Sequence, residues 1–380
     1  MRKGNMLLLL LTVMLSLSGC MQGILPELPD PVHPQAQSQS LPPVKLDPRE
    51  HSSIYYGRRS LSGSEIEAYD RISQAIRDHS DTVRTRGVEH ERLFELCSLV
   101  LDDHPEYFWF DGTVKAQYHE NDETHDVTLL FTYTMDNATA QARVSQLESR
   151  TAPLCASLTS KSDYDKVRGV YEYVIGSTVY DDSIEDQSLC SVLLEGRGVC
   201  AGYTKAVQYL LQQLGVETVY ASGTAEGENH SWNVVKIDGK YYALDATWGD
   251  PVVNTGEQVI LYDYLCVTTQ ELARSHKSEG MLPECTSSDY DYYRLKGCLF
   301  SGCRDERVYQ QMKAALDSGE SFGMKFTDQD AYEEAKRLLF EGGEIQMLLS
   351  RYCEETGRTI GGYTWSANDH MYVIHFEATE

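Results

Sequence analysis

Hydrophobic residues recur every three or four positions in several stretches of this chain, a spacing typical of helices with one buried face. Ile66, Tyr69, Ile72 and Ile76 predict the first of these helices. The same spacing predicts further helices around residues 93–101, 138–158, 164–174 and 203–214. The helix around residues 93–101 ends at His104-Pro105, because the residue before a proline is disfavoured in a helix.

Other stretches have the composition and alternation of β-strands. Residues 127–133 are rich in β-forming residues, and residues 229–237 alternate before an Asp238-Gly239 pair that is typical of a two-residue hairpin turn. Residues 240–248 predict the returning strand. Residues 322–376 predict a small unit of one strand, two helices and two further strands. The chain is therefore expected to have an α+β fold.

The N-terminus has the features of a signal peptide. Arg2 and Lys3 precede an apolar run over residues 6–17, which is too short to cross a hydrocarbon core about 30 Å thick as a helix. The run ends in Leu-Ser-Gly-Cys20, which resembles a bacterial lipobox. That resemblance implies cleavage before Cys20, lipidation of its thiol, and a location at the extracytoplasmic face of the bacterial cell membrane. An ordinary secretion signal with an incidental cysteine is the alternative.

Composition changes along the chain suggest five regions. Residues 21–48 hold seven of the eleven prolines and few large apolar residues, which predicts a semi-extended tether. We expect a signal peptide, a lipidated cysteine with a proline-rich tether, an N-terminal α+β region, a catalytic domain and a small C-terminal α+β domain. Their predicted ranges are 1–19, 20–50, 51–158, 159–305 and 306–380.

Charge and cysteine content narrow the class of protein. Without Arg2 and Lys3, 58 acidic residues face 31 basic ones, so nucleic acid is not an expected partner. Ten cysteines are present, and an even number remains for disulfides once Cys20 and one reactive thiol are set aside; Cys298 and Cys303 lie close enough in sequence for a local one. The sequence contains no Cys-x-x-Cys and no pair of histidines at metal-ligand spacing, so we expect no metal site.

Cys200 is the candidate nucleophile. Two glycines in Glu195-Gly-Arg-Gly-Val-Cys200 precede an apolar helical pattern that Gly215 ends, so the cysteine begins a helix. Unpaired amides and the dipole at a helix N-terminus favour a thiolate, and the same amides can receive an oxyanion. Taken alone, a cysteine in this position is more often structural than catalytic.

The predicted hairpin supplies a base and a carboxylate. If Ile237 pairs with Lys240 across the turn, His230 faces Thr247 and Asp245 lies diagonally from His230 on the same face. Diagonal neighbours in a sheet are about 7–8 Å apart, within reach of a side-chain hydrogen bond. A thiol nucleophile needs such a base and an acid that holds its ring, although a His–Asp pair alone is usually structural.

These residues resemble the bacterial transglutaminase-like family. The resemblance lies in Gly198-Val-Cys-Ala-Gly-Tyr-Thr-Lys-Ala206, in His230-Ser-Trp-Asn-Val-Val-Lys-Ile-Asp-Gly-Lys-Tyr-Tyr242 and in Asp245-Ala-Thr-Trp-Gly-Asp-Pro251. The order Cys, His, Asp and the gaps of 30 and 15 residues match. The resemblance extends through residues 262–268 and 285–287 and so covers about residues 160–300; more loosely, it reaches residues 103–109. Thr204 and Ser231 depart from the family pattern, which usually has alanine at both positions.

The resemblance implies a transglutaminase-like, papain-like core in which a helix bearing Cys200 packs on an antiparallel sheet bearing His230 and Asp245. These residues would be nucleophile, base and third member of a triad acting on peptide or glutamine-type amides. Gln187 is a weaker candidate for an oxyanion partner. Hydrolysis by a cysteine peptidase or amidase is preferred over protein cross-linking, and a non-catalytic binding lipoprotein stays open. The expected partners are a protein or peptide substrate, in one reading associated with the cell wall, and the membrane; no cofactor is expected.

Overall fold

The computed structural model describes residues 8–14, 41, 43–44, 54–119, 123–251, 259–319 and 321–379. Cys20 and nearly all of the predicted tether lie outside these residues, so lipidation and the tether stay predictions. The chain divides into two compact units, Met1–Asn233 and Val234–Glu380. Among the described residues, none of the helices has the length and apolar content needed to cross a membrane.

The first unit contains seven helices and seven strands among its described residues, and an eighth strand runs on into the second unit. The helices are α1 Tyr56–Arg59, α2 Ser64–Arg77, α3 His90–Asp103, α4 Asn137–Leu158, α5 Asp163–Ser177, α6 Leu189–Leu193 and α7 Cys200–Gln213. The strands are β1 Leu8–Met14, β2 Thr82–Thr85, β3 Phe110–His119, β4 Val127–Tyr133, β5 Val179–Tyr180, β6 Arg197–Gly198, β7 Thr218–Ala225 and β8 Glu228–Ile237.

Strands β3 and β4, the central strands of a four-stranded sheet in the order β1-β3-β4-β2, contribute buried residues to the N-terminal core. The buried faces of α2 and α3 supply Tyr69, Ile72, Leu93 and Leu96 to this core, each 0% exposed. Alternate residues of β3 and β4 are buried, as expected for strands with one face against a core. Cys97 is part of this packing, and burial raises the pKa of its thiol.

Helix α7 is buried along most of its length and is tied to α3 by two glutamines. Gln208 Nε2 donates to the backbone oxygen of Asp102 (2.6 Å), and Gln212 Nε2 donates to that of Asp103 (2.9 Å). Buried carbonyls at the end of a helix need such partners, because the last turn leaves them without intrahelical bonds. These bonds fix the position of α7 against the N-terminal core.

The second unit begins within β8. Its further strands are β9 Lys240–Leu244, β10 Leu265–Val267, β11 His276–Ser278, β12 Leu299–Phe300, β13 Phe322–Phe326, β14 Gly362–Asn368 and β15 Val373–Thr379. Its helices are α8 Thr269–Leu272, α9 Tyr292–Leu295, α10 Glu306–Ser318, α11 Gln329–Lys336 and α12 Glu344–Thr356, with a π-helical turn at Arg337–Glu341. Strands β8, β9 and β10 are neighbours in that order, and a separate sheet has the order β12-β13-β15-β14.

The structure confirms the predicted α+β class and most of the predicted elements. Asp238 and Gly239 both have positive φ, 49° and 79°, as a type I′ hairpin turn requires. The prediction that the returning strand extends to residue 248 is wrong, because β9 ends at Leu244. A disulfide between Cys298 and Cys303 is also not present: both are free thiols, as are the other seven described cysteines.

Candidate active site

Cys200 is the first residue of α7, as the sequence predicts. Val199 precedes it in an extended conformation with no side-chain cap, and the first intrahelical bond runs from the amide of Tyr203 to the oxygen of Val199 (3.1 Å). The amides of Cys200, Ala201 and Gly202 therefore come before the helical hydrogen-bond ladder. Such amides concentrate positive potential at the start of a helix, which favours an anion there.

Glycines at positions 198 and 202 allow α6 to approach the start of α7 closely. A Cβ atom on Gly198 would lie 2.5 Å from Val192 Cγ2, and one on Gly202 would lie 3.0 Å from the same atom. Distances this short are incompatible with van der Waals packing. The glycines on either side of Cys200 therefore leave room for Val192 of α6 against the start of α7.

The structure brings Cys200 and His230 together within the first unit. His230 lies on β8, is 8% exposed, and its ring hydrogen-bonds the Cys200 thiol. The ring of Trp232 stacks beside that of His230, with centroids 6.2 Å apart. Burial raises the pKa of the Cys200 thiol, but the hydrogen bond and charge of His230, together with the hydroxyl and amide of Ser231, lower it below its ordinary value.

Cys200 differs from the other thiols of the described chain. Burial raises the pKa of seven of them, to about 11 for Cys190, Cys285 and Cys298. The other four are Cys97, Cys155, Cys266 and Cys303. Only Cys200 has a thiol pKa shifted downward among the described cysteines. A lowered thiol pKa marks a reactive cysteine, whereas buried structural cysteines are inert.

Hydroxyl and amide groups hold the start of α7 to the strand that carries His230. Thr204 Oγ1 donates to the Cys200 carbonyl (2.9 Å) and lies 3.1 Å from Ser231 Oγ. Asn233 Nδ2 donates to the Thr204 carbonyl (3.1 Å). Thr204 and Ser231, the two positions where the sequence departs from the family pattern, therefore contact each other. Together they fix the separation between the sulfur and the imidazole.

Asp245, the predicted third member, lies in the second unit just beyond the end of β9. Its Oδ1 accepts hydrogen bonds from the amides of Thr247 (2.9 Å) and Trp248 (3.0 Å). These amides would otherwise be available to a neighbouring strand, which explains why the strand stops before the aspartate. Strand β9 thus ends one residue before Asp245, and the pairing of Asp245 with His230 stays a prediction.

A second histidine, which the sequence pattern does not indicate, contacts this carboxylate. His276 Nε2 lies 3.0 Å from Asp245 Oδ2, and the two side chains are 1% and 0% exposed. Trp248 packs over the His276 ring at 4.7 Å between centroids. Thirty-one residues separate the pair, and no periodic pattern links them. The one available signal is that His276 falls within the span of about residues 160–300 that the family resemblance covers.

A cavity of ≈ 400 Å³ opens in the first unit. Its wall includes Asp102, Gln187, Lys205 and Tyr220. The negative charge of the Cys200 thiolate acts to raise the pKa of both Lys205 and Tyr220. Burial lowers the pKa of Lys205 and raises that of Asp102 to about 7. Gln187 lies half-buried on this wall, and its backbone oxygen accepts from Lys205 Nζ (3.4 Å). Its proposed contact with an oxyanion stays a prediction.

Comparisons with known proteins place part of the chain in a family. The family model of the Transglutaminase-like superfamily matches residues 152–246, a range that contains Cys200, His230 and Asp245. Kyphoscoliosis peptidase from Mus musculus is 23% identical over 112 residues, which cover 25% of this chain and 17% of the mouse protein. A crystal structure of a TGase is 19% identical and covers 37% of this chain and 46% of that one, with a TM-score of 0.26. The match to the transglutaminase-like superfamily thus covers residues 152–246, and the chain spans less than half the length of each of these two relatives.

Proposed function

We propose that this chain is a cell-surface thiol enzyme that transfers the acyl group of peptide or glutamine-type amides. Cys200 is the nucleophile, His230 the base, and Asp245 the residue that orients His230. One observation carries the proposal: Cys200 begins helix α7, and its thiol contacts the ring of His230. The lowered pKa of this thiol, beside seven cysteines of the described chain with raised ones, supports the same interpretation.

The chemistry follows from these groups. The Cys200 thiolate attacks the carbonyl carbon of the amide, and the oxyanion that forms is held by the amides at the start of α7. Protonated His230 gives its proton to the leaving nitrogen, the C–N bond breaks, and a thioester remains. The second nucleophile then adds to the carbonyl carbon of the thioester, while His230, neutral after the first step, takes its proton. The C–S bond breaks and the thiolate returns.

The nature of that second nucleophile decides between two activities. Water gives hydrolysis, so the enzyme acts as a cysteine peptidase or amidase. A primary amine gives a cross-link, so it acts as a transglutaminase. We favour hydrolysis, in keeping with a surface lipoprotein whose substrate is a protein or peptide. Transamidation is the alternative because both reactions share the first half.

Replacement of Cys200 by alanine tests the enzyme proposal directly. We expect wild-type protein to convert a tryptic peptide mixture with added cadaverine into new products, and Cys200→Ala to form none, because removal of a nucleophile costs on the order of 10⁶ in kcat. Mass spectrometry reads the outcome: free acids indicate hydrolysis and cadaverine adducts indicate transamidation. Cys190→Ala is the matched control, since Cys190 is a buried thiol in the same unit. Equal product formation by Cys200→Ala and wild type would refute the enzyme proposal.

We further propose that Cys20 is lipidated and holds the enzyme at the membrane. Support comes from the apolar run and the Leu-Ser-Gly-Cys20 sequence. In bacterial cells, wild-type protein is expected in the membrane fraction with acyl chains on Cys20, because two or more chains anchor a protein stably where one does not. Cys20→Ala should lack the acyl mass on its N-terminal peptide and leave the membrane fraction. An unacylated Cys20 in wild-type protein would contradict the anchor.

A further inference from the structure

The first unit contains a cavity of ≈ 400 Å³ for which the reaction described above names no occupant. Cavities that bind ligands or substrate side chains have volumes of this order, with apolar walls and a few polar groups. Leu101, Phe108 and Phe110 are among the apolar residues of this wall. The charged residues on it are four acidic and two basic ones, namely Asp102, Asp111, Glu185 and Asp186, and Arg143 and Lys205. The wall thus combines apolar surface with an excess of negative charge.

One buried nitrogen on this wall lacks a hydrogen-bond partner. His104 lines the cavity, is 2% exposed, and stacks on the ring of Tyr107 at 4.7 Å between centroids. Its Nδ1 lies 3.1 Å from Glu106 Oε1, whereas its Nε2 has no partner among the described residues. Because a carboxylate accepts hydrogen bonds and does not donate them, Nδ1 carries the hydrogen of the neutral ring and Nε2 is an acceptor. Unsatisfied buried acceptors are rare, and a ligand that donates a hydrogen bond would satisfy this one.

The carboxyl group of Asp102, on the same wall, favours a donor that carries positive charge. Burial raises the pKa of Asp102 to about 7, so this carboxyl holds a proton for part of the time at neutral pH. The two basic residues of the wall have other partners: Arg143 hydrogen-bonds the Cys190 thiol, and Lys205 Nζ donates to the backbone oxygen of Gln187 (3.4 Å). A further cation in the cavity would be attracted by the Asp102 carboxylate and would keep it ionised.

The wall of the cavity extends along α7 towards Cys200. Lys205 follows Cys200 by five residues, which is a rise of about 7.5 Å along a helix. The charge of the Cys200 thiolate acts on Lys205 and Tyr220, which both line the cavity. Ser188 also lines it, and the Ser188 backbone oxygen lies 3.1 Å from the position of a Cβ atom on Gly202, in the first turn of α7. A substrate held at the sulfur can therefore place a neighbouring long side chain in this cavity.

We propose that the cavity is a specificity subsite for a long cationic side chain, lysine or arginine, of the acyl-donor substrate. The N–H groups at the end of that side chain donate to His104 Nε2 and to the Asp102 carboxylate, and its methylene groups pack against the apolar wall. Aromatic rings such as that of Phe108 also attract a cation. An apolar side chain would leave Nε2 unsatisfied, and an acidic one would be repelled. The inference rests on the proposed thiol-enzyme function and adds a substrate class to it.

Chloroacetamides with different tails test the subsite, because they alkylate a thiolate with loss of chloride and carry the tail to the sulfur. N-(5-aminopentyl)chloroacetamide ends in an ammonium group, and in N-hexylchloroacetamide a methyl group takes its place. Mass spectrometry measures the rate at which each probe alkylates Cys200. In wild-type protein the ammonium probe should react about 10- to 100-fold faster, the range expected for hydrogen bonds to a charged group.

Two substitutions assign this preference to the cavity. His104→Phe keeps a stacked ring and removes Nε2, whereas Asp102→Asn keeps the size of the side chain and removes its charge. Each should bring the two probe rates close to equality. His90→Phe is the matched control for the histidine, since His90 stacks on Tyr118 (4.1 Å) in the same unit. Glu148→Gln is the control for the charge, because Glu148 is an exposed acid of α4. Both controls should keep the wild-type rate ratio.

The outcomes separate failure of the subsite from failure of the enzyme proposal. Equal rates for the two probes in wild-type protein, or a preference that Asp102→Asn retains, would overturn the subsite. An equal gain with N-(2-aminoethyl)chloroacetamide, whose ammonium stays near the sulfur, would also overturn it, since attraction by the overall negative charge would then be enough. If His104→Phe does not fold, Asp102→Asn and Glu148→Gln decide the question. Alkylation of Cys200 no faster than that of Cys190 with every probe would instead refute the enzyme proposal.

Discussion

Replacement of His230 by glutamine is expected to lower the alkylation rate of Cys200 at pH 7 by at least about tenfold, because each pKa unit gained by the thiol removes that factor of thiolate. Burial alone raises the pKa of this thiol, and the hydrogen bond and charge of His230 reverse that effect. Without the imidazole, Ser231 and the amides at the start of α7 are left to oppose the burial contribution. The thiol pKa therefore rises, and less thiolate exists at neutral pH.

The pH profile gives the sign of the effect. In wild-type protein the alkylation rate should rise at a pH below the ordinary thiol range and then level off. In His230→Gln it should still be rising where the wild-type curve is flat. His79→Gln is the control: His79 belongs to the same unit but packs on Trp109 and Tyr133. Superimposable curves for His230→Gln and wild type would mean that the imidazole does not activate the sulfur.

Ser231→Ala separates the smaller contribution. The hydroxyl of Ser231 and its backbone amide both lower the pKa of the Cys200 thiol, and they rank behind His230. Alanine removes the hydroxyl and keeps the amide. Its effect on the profile should therefore have the same sign as that of His230→Gln and a smaller size. Activation of the sulfur is thus shared between a base and polar groups of the same strand.

The sequence predicts well those features that depend on local spacing. Helix α2 and strand β13 follow from the apolar pattern, because one buried face imposes a period of 3.6 or 2 on the residues. The placement of Cys200 follows in the same way: two glycines and an apolar stripe define the start of α7. The order and spacing of residues are enough to predict these elements, since the interactions that form them are between residues close in sequence.

The sequence fails where a side chain replaces a backbone partner. Alternation continues through residue 248, so a strand was expected there. The Asp245 carboxylate instead accepts from two following amides and ends the strand at Leu244. The pattern of hydrophobic residues does not report which amides a side chain will capture. The His276 contact fails for a related reason, because it joins distant residues through tertiary structure alone.

Asp245→Asn is expected to fold and to lose activity. The asparagine Oδ1 can still accept from the amides of Thr247 and Trp248, so the turn after β9 should persist. Its Nδ2 is a donor and faces His276 Nε2, where the native carboxylate accepts. The same change removes the acceptor proposed for His230. In serine-enzyme triads this substitution lowers kcat by about 10⁴. By analogy, we expect kcat to fall by roughly 10³- to 10⁴-fold.

Asp245→Ala separates the structural role of this carboxylate from its role in the reaction. Alanine leaves the amides of Thr247 and Trp248 and the ring of His276 without this acceptor inside a buried site. Each unsatisfied buried donor costs about 1–3 kcal/mol, so the alanine variant should melt far below the asparagine variant. Circular dichroism measures the melting temperatures, and product formation from the peptide mixture measures turnover. An asparagine variant that melts near wild type yet turns over within tenfold of it would show that Asp245 supports the fold and takes no part in the chemistry.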